Sequence, residues 1–165
     1  MSGLRTPLRL AALLATAFLS CAATQSPALG NPFAELAGSW RGDGTLEPLG
    51  GDAERVVCRA KYDVSEAAVT QTIICAGTDY KINAVSNLTY SGGTLTGSWK
   101  EKNYGAGGGA SGSVKGGRIY LRISGESFNA RMSIDMSDDQ HTVTIKQFNA
   151  GNGEYRHVAS LNLAR

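Results

Sequence analysis

The sequence is poor in charge and in the side chains that usually perform catalysis. Charged residues make up 18% of the 165 residues, against about a quarter in an average protein, and there are only two histidines. Arg5 and Arg9, within the first 22 residues, account for the whole formal net charge of +2, so the rest of the chain is neutral. Because there is neither a net field nor a basic run to attract phosphates, we expect no nucleic-acid partner.

Long apolar runs and a helix-favouring composition are also missing. The longest apolar stretch, residues 10–19, has about half the length that a membrane-spanning helix needs, so we expect no transmembrane span. The 21 glycines are close to twice the usual share, and glycine is unfavourable inside helices. These features count against coiled-coil and helix-rich folds and favour an all-β protein.

The start of the chain has the parts of a secretory signal peptide: two arginines, a short apolar centre and small residues before Ala23. We predict that residues 1–22 are this signal peptide and that the protein is exported, either periplasmic or secreted. A second, less well placed cleavage site precedes Asn31. Cys21 leaves open a lipid anchor, which is less favoured because residues 18–20 fit the lipoprotein motif poorly.

Two cysteines, Cys58 and Cys75, remain in the exported chain, and such a pair is expected to form a disulfide. Residues 54–64 and 69–76 flank a short polar turn and predict a β-hairpin. The register that places the cysteines opposite each other also keeps the apolar residues on one face. It pairs three further residues of each strand: Ala60 with Ile73, Tyr62 with Gln71, and Val64 with Val69. A two-thiol metal or redox site is disfavoured because CxxC spacing is absent.

Residues 23–32 contain two prolines and no periodic pattern, which predicts a flexible N-terminal arm. Residues 33–165 alternate with period two almost throughout, which predicts a single all-β domain. The predicted strands are 38–46, 54–64, 69–76, 80–90, 94–102, 110–115, 118–124, 128–136, 141–148 and 155–163. Short turns join sequential neighbours, and one face stays apolar. We therefore predict an antiparallel up-and-down meander closed into one barrel of eight to ten strands with one disulfide, since closure buries that face.

The segment Leu36-Ala37-Gly38-Ser39-Trp40-Arg41 resembles the G-x-W opening of lipocalins and other calycin barrels. The resemblance implies that Gly38 and Trp40 have structural roles, with Trp40 plugging one end of the barrel. It also implies that an arginine near the end of the chain, Arg165 or Arg156, packs across the indole by a cation–π contact. The other end of such a barrel is open, and small apolar ligands bind there.

The longer match Glu35-Leu36-Ala37-Gly38-Ser39-Trp40 is similar to the opening of small periplasmic inhibitors of secreted zinc proteases, which form eight-strand barrels with a single disulfide. Those inhibitors block a protease with a free N-terminal segment. This second resemblance implies a protein partner that binds through residues 23–35.

Catalysis requires titratable groups that converge, and few are present. His141 and His157 lie near the starts of predicted strands, where we interpret them as solvent-exposed. No Cys/His cluster suggests a metal, and no G-x-S-x-G motif suggests an acyl-enzyme. The glycine-rich residues 104–113 lack the Gly-Lys-Ser/Thr of a phosphate site and are interpreted as a flexible hairpin loop. We expect neither an enzyme nor a metal or cofactor.

These features together predict an exported binding protein of the bacterial cell envelope. We expect a monomer that holds a small apolar molecule or lipid inside the barrel. The candidate ligand contacts are the aromatic and sulfur side chains on inward faces: Tyr62, Tyr80, Trp99, Phe128 and Met132. The two tyrosine hydroxyls would orient the ligand. The alternative is a protein-interaction module, such as a periplasmic protease inhibitor or a structural component of the envelope.

Overall fold

The computed structural model describes residues 30–126 and 128–165. The predicted signal peptide, Cys21 and residues 23–29 of the predicted arm lie outside the described residues. A 3-10 helix, Ala34–Leu36, precedes ten strands. The strands are β1 (Gly38–Leu46), β2 (Glu54–Ser65), β3 (Ala68–Ala76), β4 (Lys81–Ser91), β5 (Thr94–Glu101), β6 (Gly107–Lys115), β7 (Arg118–Gly125), β8 (Ala130–Met136), β9 (Gln140–Asn149) and β10 (Glu154–Ala164).

The ten strands form one antiparallel sheet that closes on itself. Each strand pairs with its neighbour in the sequence, and β1 pairs with β10 to complete the barrel. Arg41 then lies opposite Ala164, and Leu46 lies opposite Ala159. The prediction of an all-β meander closed into a single barrel with one disulfide is confirmed. The predicted strand bounds are close to the observed ones because polar and apolar residues alternate clearly and turn residues interrupt them.

The glycine-rich segment is the exception to this agreement. Strand β6 begins at Gly107, so the prediction of a flexible loop over residues 104–113 is wrong. Gly108 shows the physical reason, because a Cβ at this position would overlap the backbone carbonyl oxygen of Ser124 on β7. Glycine lets the two strands approach closely and bend, and the glycines serve the curvature of the barrel here rather than a mobile loop.

The two ends of the barrel differ in how their strands are connected. At one end, the β2–β3, β4–β5, β6–β7 and β8–β9 connections have two or three residues. Gly92 and Gly93, for example, turn the chain between β4 and β5 with φ values of 56° and 85°. At the other end, the loops are longer: 47–53, 77–80, 102–106, 126–129 and 150–153. We call the first end the closed end and the second end the mouth.

The closed end is filled by residues from the start of the domain. Phe33 and Leu36 are buried there, with 0% and 2% of their surfaces exposed. Trp40 of β1 is also buried, and its indole Nε1 donates a hydrogen bond of 2.7 Å to the carbonyl oxygen of Leu36. Gly38 has a φ of 112°, which favours glycine, so the chain can turn from the 3-10 helix into β1 at this point.

Arg165, the last residue, covers Trp40. Its guanidinium carbon lies 4.6 Å from the centre of the Trp40 indole, within the range of a cation–π contact. Its Nη2 donates a hydrogen bond of 2.6 Å to the carbonyl oxygen of Glu35. The second candidate arginine, Arg156, pairs with Glu47 instead. The two termini of the domain are therefore joined at the closed end.

The hairpin of β2 and β3 has the predicted register. Cys58 lies opposite Cys75, Tyr62 lies opposite Gln71, and the two cysteines form a disulfide. Both cysteines are buried on the inner face of the barrel, nearer the mouth than the closed end. Disulfides form and persist in oxidising compartments, so this bridge indicates an oxidising compartment for the protein.

Two kinds of feature are absent from residues 30–126 and 128–165. No helix in these ranges is both long enough and apolar enough to cross a membrane. Nor do any three His, Cys, Asp or Glu side chains in the same ranges converge as metal ligands would.

Removing the disulfide by the double substitution Cys58→Ala and Cys75→Ala should lower the free energy of unfolding by about 2–5 kcal/mol, since the bridge restricts the unfolded chain. Urea denaturation of the oxidised wild type and of the variant measures this loss. The control is the wild type unfolded under reducing conditions, which should match the variant. Equal stability of the oxidised wild type and the variant would contradict the prediction.

Candidate functional site

A cavity of about 510 Å³ lies inside the barrel and extends from the mouth toward the closed end, where Phe33 and Leu36 line it. Most of the lining side chains are aliphatic or aromatic, and none is a lysine or arginine. The polar members are Tyr62, Gln71, Tyr80, Ser86, Glu101, Tyr104 and Gln147. Small side chains at inward positions, such as Ala84 and Ala110, leave the lumen of a ten-strand barrel partly unfilled.

Aromatic side chains surround the mouth of the cavity. The rings of Trp99 and Phe128 meet edge to face, with their centroids 5.6 Å apart. The indole Nε1 of Trp99 donates a hydrogen bond of 3.0 Å to the carbonyl oxygen of Ser124, which orients the ring. On the loop before β4, Tyr80 brings its hydroxyl against Gly51, where a Cβ would collide with it. Tyr80 therefore packs two neighbouring loops of the mouth together.

Two glutamates hold the loops of the mouth by their backbone amides. The carboxylate of Glu54 accepts hydrogen bonds of 2.8–3.0 Å from the N–H groups of residues 78–80. These bonds, above all the one from Asp79, lower the pKa of Glu54 below its usual value. Glu101 is buried and accepts hydrogen bonds from the N–H groups of Asn83 and Tyr104, at 2.7 and 2.6 Å. These contacts shape the entrance.

A chain of polar side chains follows the inner wall from the middle of the cavity to the closed end. The Ser86 hydroxyl donates to Oε1 of Gln71 at 3.0 Å, and Nε2 of Gln71 donates to the Tyr62 hydroxyl at 2.9 Å. The Tyr62 oxygen also lies 2.9 Å from Nε2 of His141. Tyr62 accepts from Gln71, and in the His141 tautomer with its proton on Nδ1, Nε2 accepts the proton of the Tyr62 hydroxyl.

His141 is buried, with 2% of its surface exposed, so its interpretation as a solvent-exposed residue at a strand end is wrong. His141 lies on β9, on the same inner face as Val143. It pairs with Met136 of β8, which places it at the closed end of the barrel. Burial lowers the pKa of His141 to about 4, so the imidazole is neutral at physiological pH. Its Nδ1 has no hydrogen-bond partner among the described residues. His157, in contrast, is exposed.

His141 also joins the polar chain to the closed end. Its ring meets Trp40 edge to face, with centroids 4.5 Å apart, and meets Tyr62 in the same way at 5.4 Å. Arg165 contacts the same Trp40 indole. The closed end and the polar wall of the cavity are therefore one continuous set of contacts.

The structure brings all five candidate ligand contacts to the cavity. They are Tyr62, Tyr80, Trp99, Phe128 and Met132. Tyr80 and Phe128 belong to loops rather than to the predicted strands. Sequence reasoning missed Gln71, Ser86 and Glu101, although period-two alternation places Gln71 on the same face as Val69 and Ile73.

The fold and the cavity together define a ten-strand antiparallel barrel with one closed end and one open mouth. Two solved structures share this fold. One is Rv2717c from M. tuberculosis, with a TM-score of 0.65 and 14% identity over 81% of this chain and 94% of that chain. The other is the S-type phycobiliprotein lyase CPES from Guillardia theta, with a TM-score of 0.59 and 14% identity over 81% of this chain and 89% of that chain.

At the level of sequence, a scan against known protein families finds no match, and a search of curated proteins finds none either. The structural likeness corrects one expectation. The prediction that the chain is not an enzyme is overturned, because an enzyme, the lyase from Guillardia theta, is built on the same barrel. Scarcity of titratable groups was the wrong criterion, since a barrel that encloses a ligand can also serve as the scaffold of an enzyme.

Protonation of His141 should destabilise the fold in acid. Its pKa falls from 6.5, the ordinary value, to about 4 in the folded state, so between these values the unfolded chain binds the proton more strongly. The stability that neutral His141 confers is present above pH 6.5 and is lost as the pH falls to 4. This loss amounts to about 3 kcal/mol in the free energy of unfolding.

Urea titrations between pH 7 and pH 4 measure this effect in the wild type and in His141→Gln. Relative to the wild type, His141→Gln should lose less stability on acidification, since it lacks the titrating imidazole. The matched control is His157→Gln at the exposed histidine, which should keep the pH dependence of the wild type. If the wild type and both variants lost the same free energy of unfolding on acidification, His141 would not be the cause of the acid destabilisation.

Proposed function

We propose that this protein binds a small, largely apolar molecule or lipid inside its barrel. The observation that carries the proposal is the cavity of about 510 Å³ with its predominantly apolar wall. Ligand sites are concave spaces of about 300–1,000 Å³ that combine apolar walls with a few polar groups. A ligand that fills the cavity replaces water next to apolar side chains, and this release of water provides the driving force for binding.

The five ligand contacts predicted from the sequence contribute to binding in different ways, according to where they lie in the cavity. We propose that Trp99, Phe128 and Tyr80 contact the ligand at the mouth. The edge-to-face contact fixes the rings of Trp99 and Phe128, and Tyr80 packs against Gly51. Met132 lies on the wall of the cavity and adapts to the shape of an apolar group. Tyr62 supports the polar part of the wall through its contacts with Gln71 and His141.

The hydrogen bonds of the two glutamates support the same proposal. Glu54 and Glu101 hold the loops over residues 77–80 and 102–106 through hydrogen bonds from the backbone amides of those loops. A site whose entrance is already ordered loses less conformational entropy when the ligand binds. The hydrogen bonds of the two glutamates therefore lower the entropic cost of binding a ligand at the mouth.

We further propose that this binding takes place outside the cytoplasm, in the periplasm or envelope of a bacterium or in the secreted fraction. The predicted signal peptide over residues 1–22 supports this location, and the disulfide between Cys58 and Cys75 is consistent with it. The alternative of a protein partner bound through residues 23–35 is less favoured, because Phe33 is buried in the closed end of the barrel.

Native mass spectrometry of the protein purified from its own cells should show an additional mass of a small molecule. The ligand is held without a covalent bond, so this mass should be absent after denaturation. The denatured chain, two hydrogens lighter than the reduced sequence, confirms the disulfide in the same experiment. A protein without additional mass that also takes up no apolar probe would contradict the proposed function.

Filling the cavity should prevent binding. Ala84 lies on its wall, and Ala84→Phe places a ring in the space that the ligand occupies. We expect the affinity for phenylnaphthylamine, an uncharged fluorescent probe of apolar sites, to fall by about tenfold or more, or about 1.4 kcal/mol. The matched control, Thr72→Phe on the outer face of β3, should bind the probe as the wild type does. Equal binding by both variants would place the probe elsewhere.

A further inference from the structure

We propose that the ligand carries one uncharged hydroxyl group, which binds between Gln71 and Ser86. This inference rests on the proposed function, because it names the class of molecule that the same cavity holds. It is carried by the direction of the hydrogen bonds along the polar wall and by the charges of the lining residues.

With the proton of His141 on Nδ1, all hydrogen bonds of the polar chain run in one direction. Ser86 donates to Gln71, Gln71 donates to Tyr62, and the proton of Tyr62 is then directed to Nε2 of neutral His141. Hydrogen bonds in such a series strengthen one another by polarisation. The proton of the Tyr62 hydroxyl is therefore committed to the protein, so Tyr62 is not the group that donates to a ligand.

Gln71 and Ser86 keep hydrogen-bonding capacity that faces the cavity. Within the described residues, the amide nitrogen of Gln71 makes one hydrogen bond, which leaves its second N–H free. The hydroxyl of Ser86 uses its proton on Gln71, which leaves its oxygen free to accept. Both side chains are half-buried and line the cavity, directly opposite each other on β3 and β4. The site thus offers one donor and one acceptor side by side.

A hydroxyl group matches this pair of free groups. Its oxygen can accept from the N–H of Gln71, while its proton is donated to the oxygen of Ser86. A carbonyl, ester or ether oxygen can only accept, so it would satisfy one of the two groups. A hydrocarbon would satisfy neither and would separate both from water at a cost.

The charges of the cavity disfavour an ionised ligand head. No lysine or arginine is among the lining residues, so a buried carboxylate would find no cation to pair with. The acidic residue on the wall, Glu101, lies near the mouth and repels an entering anion. The imidazole of His141 is already bonded to Tyr62 and neutral, so it supplies no positive charge.

The position of the pair determines how the ligand lies. Tyr62, Gln71, Ser86 and Trp99 occupy successive positions of one pairing row, which runs from the closed end on β2 to the mouth on β5. Gln71 and Ser86 are in the middle of this row. The hydroxyl is therefore bound partway along the wall, and the apolar body of the ligand fills the space toward Met132 and the floor.

Displacement of bound phenylnaphthylamine at neutral pH tests this assignment with three competitors of matched chain length: decanol, methyl decanoate and decanoate. The one hydrogen bond that decanol makes and methyl decanoate cannot, donation to Ser86, corresponds to an affinity about fivefold higher for decanol. Decanoate should bind most weakly. In Gln71→Leu and in Ser86→Ala, the advantage of decanol should fall to about twofold or less.

The controls separate this inference from the proposed function. Thr72→Val changes the outer face of the same strand and should keep the full preference for decanol. Circular dichroism shows whether the two cavity variants are folded, and the ratio of decanol to methyl decanoate affinity is compared within each variant, so a change in probe affinity does not enter the result. If the wild type does not bind the probe, the proposed function fails and this inference with it. If the probe binds but decanol has no advantage, or keeps it in both variants, only the hydroxyl assignment is overturned.

Discussion

The pairing of β1 with β10 is the interaction on which the rest of the structure depends. It joins β1 to β10, so no edge of the sheet that the described residues form remains unpaired, and the apolar face of this sheet lies inside. The approach is close: at Gly42 and Gly44, a Cβ would overlap carbonyl oxygens of β10. Without this pairing, the sheet would expose one long apolar face to water. The contact of Arg165 with Trp40 reinforces closure at the same seam.

Closure alone does not produce a cavity; the unequal ends and the small inward side chains do. Short turns, Phe33 and Trp40 fill one end, whereas longer loops leave the other end accessible. Ten strands enclose a wider space than eight, and residues such as Ala84 and Ala110 do not fill it. The cavity therefore has a direction, with an aromatic mouth and an apolar floor, so a ligand that enters takes a defined orientation.

The polar chain is the feature that distinguishes this cavity from a purely apolar one. Burying Gln71 and His141 in an apolar barrel costs free energy unless they find partners, and Tyr62 provides a partner to both. Tyr62 makes its hydrogen bonds within the protein. The hydrogen-bonding groups that remain for a ligand therefore lie farther along the polar chain, as far as Ser86. A structural requirement, a hydrogen-bond partner for Nε2 of the buried His141, thus determines which polar groups face a ligand.

Sequence alone determined the strands, their order and the disulfide, because alternation and turn chemistry are local and one hairpin register satisfied both the cysteines and the apolar face. Alternation also placed Gln71 inward, but no local pattern explains a polar residue there. His141 shares its face with Val143, yet its position at a strand start suggested exposure. Only the tertiary structure decided that Gln71, Tyr62 and His141 meet, and that a cavity of about 510 Å³ remains beside them. The reason is physical: Tyr62 and His141 are 79 residues apart, and only closure of the whole barrel brings such distant side chains together.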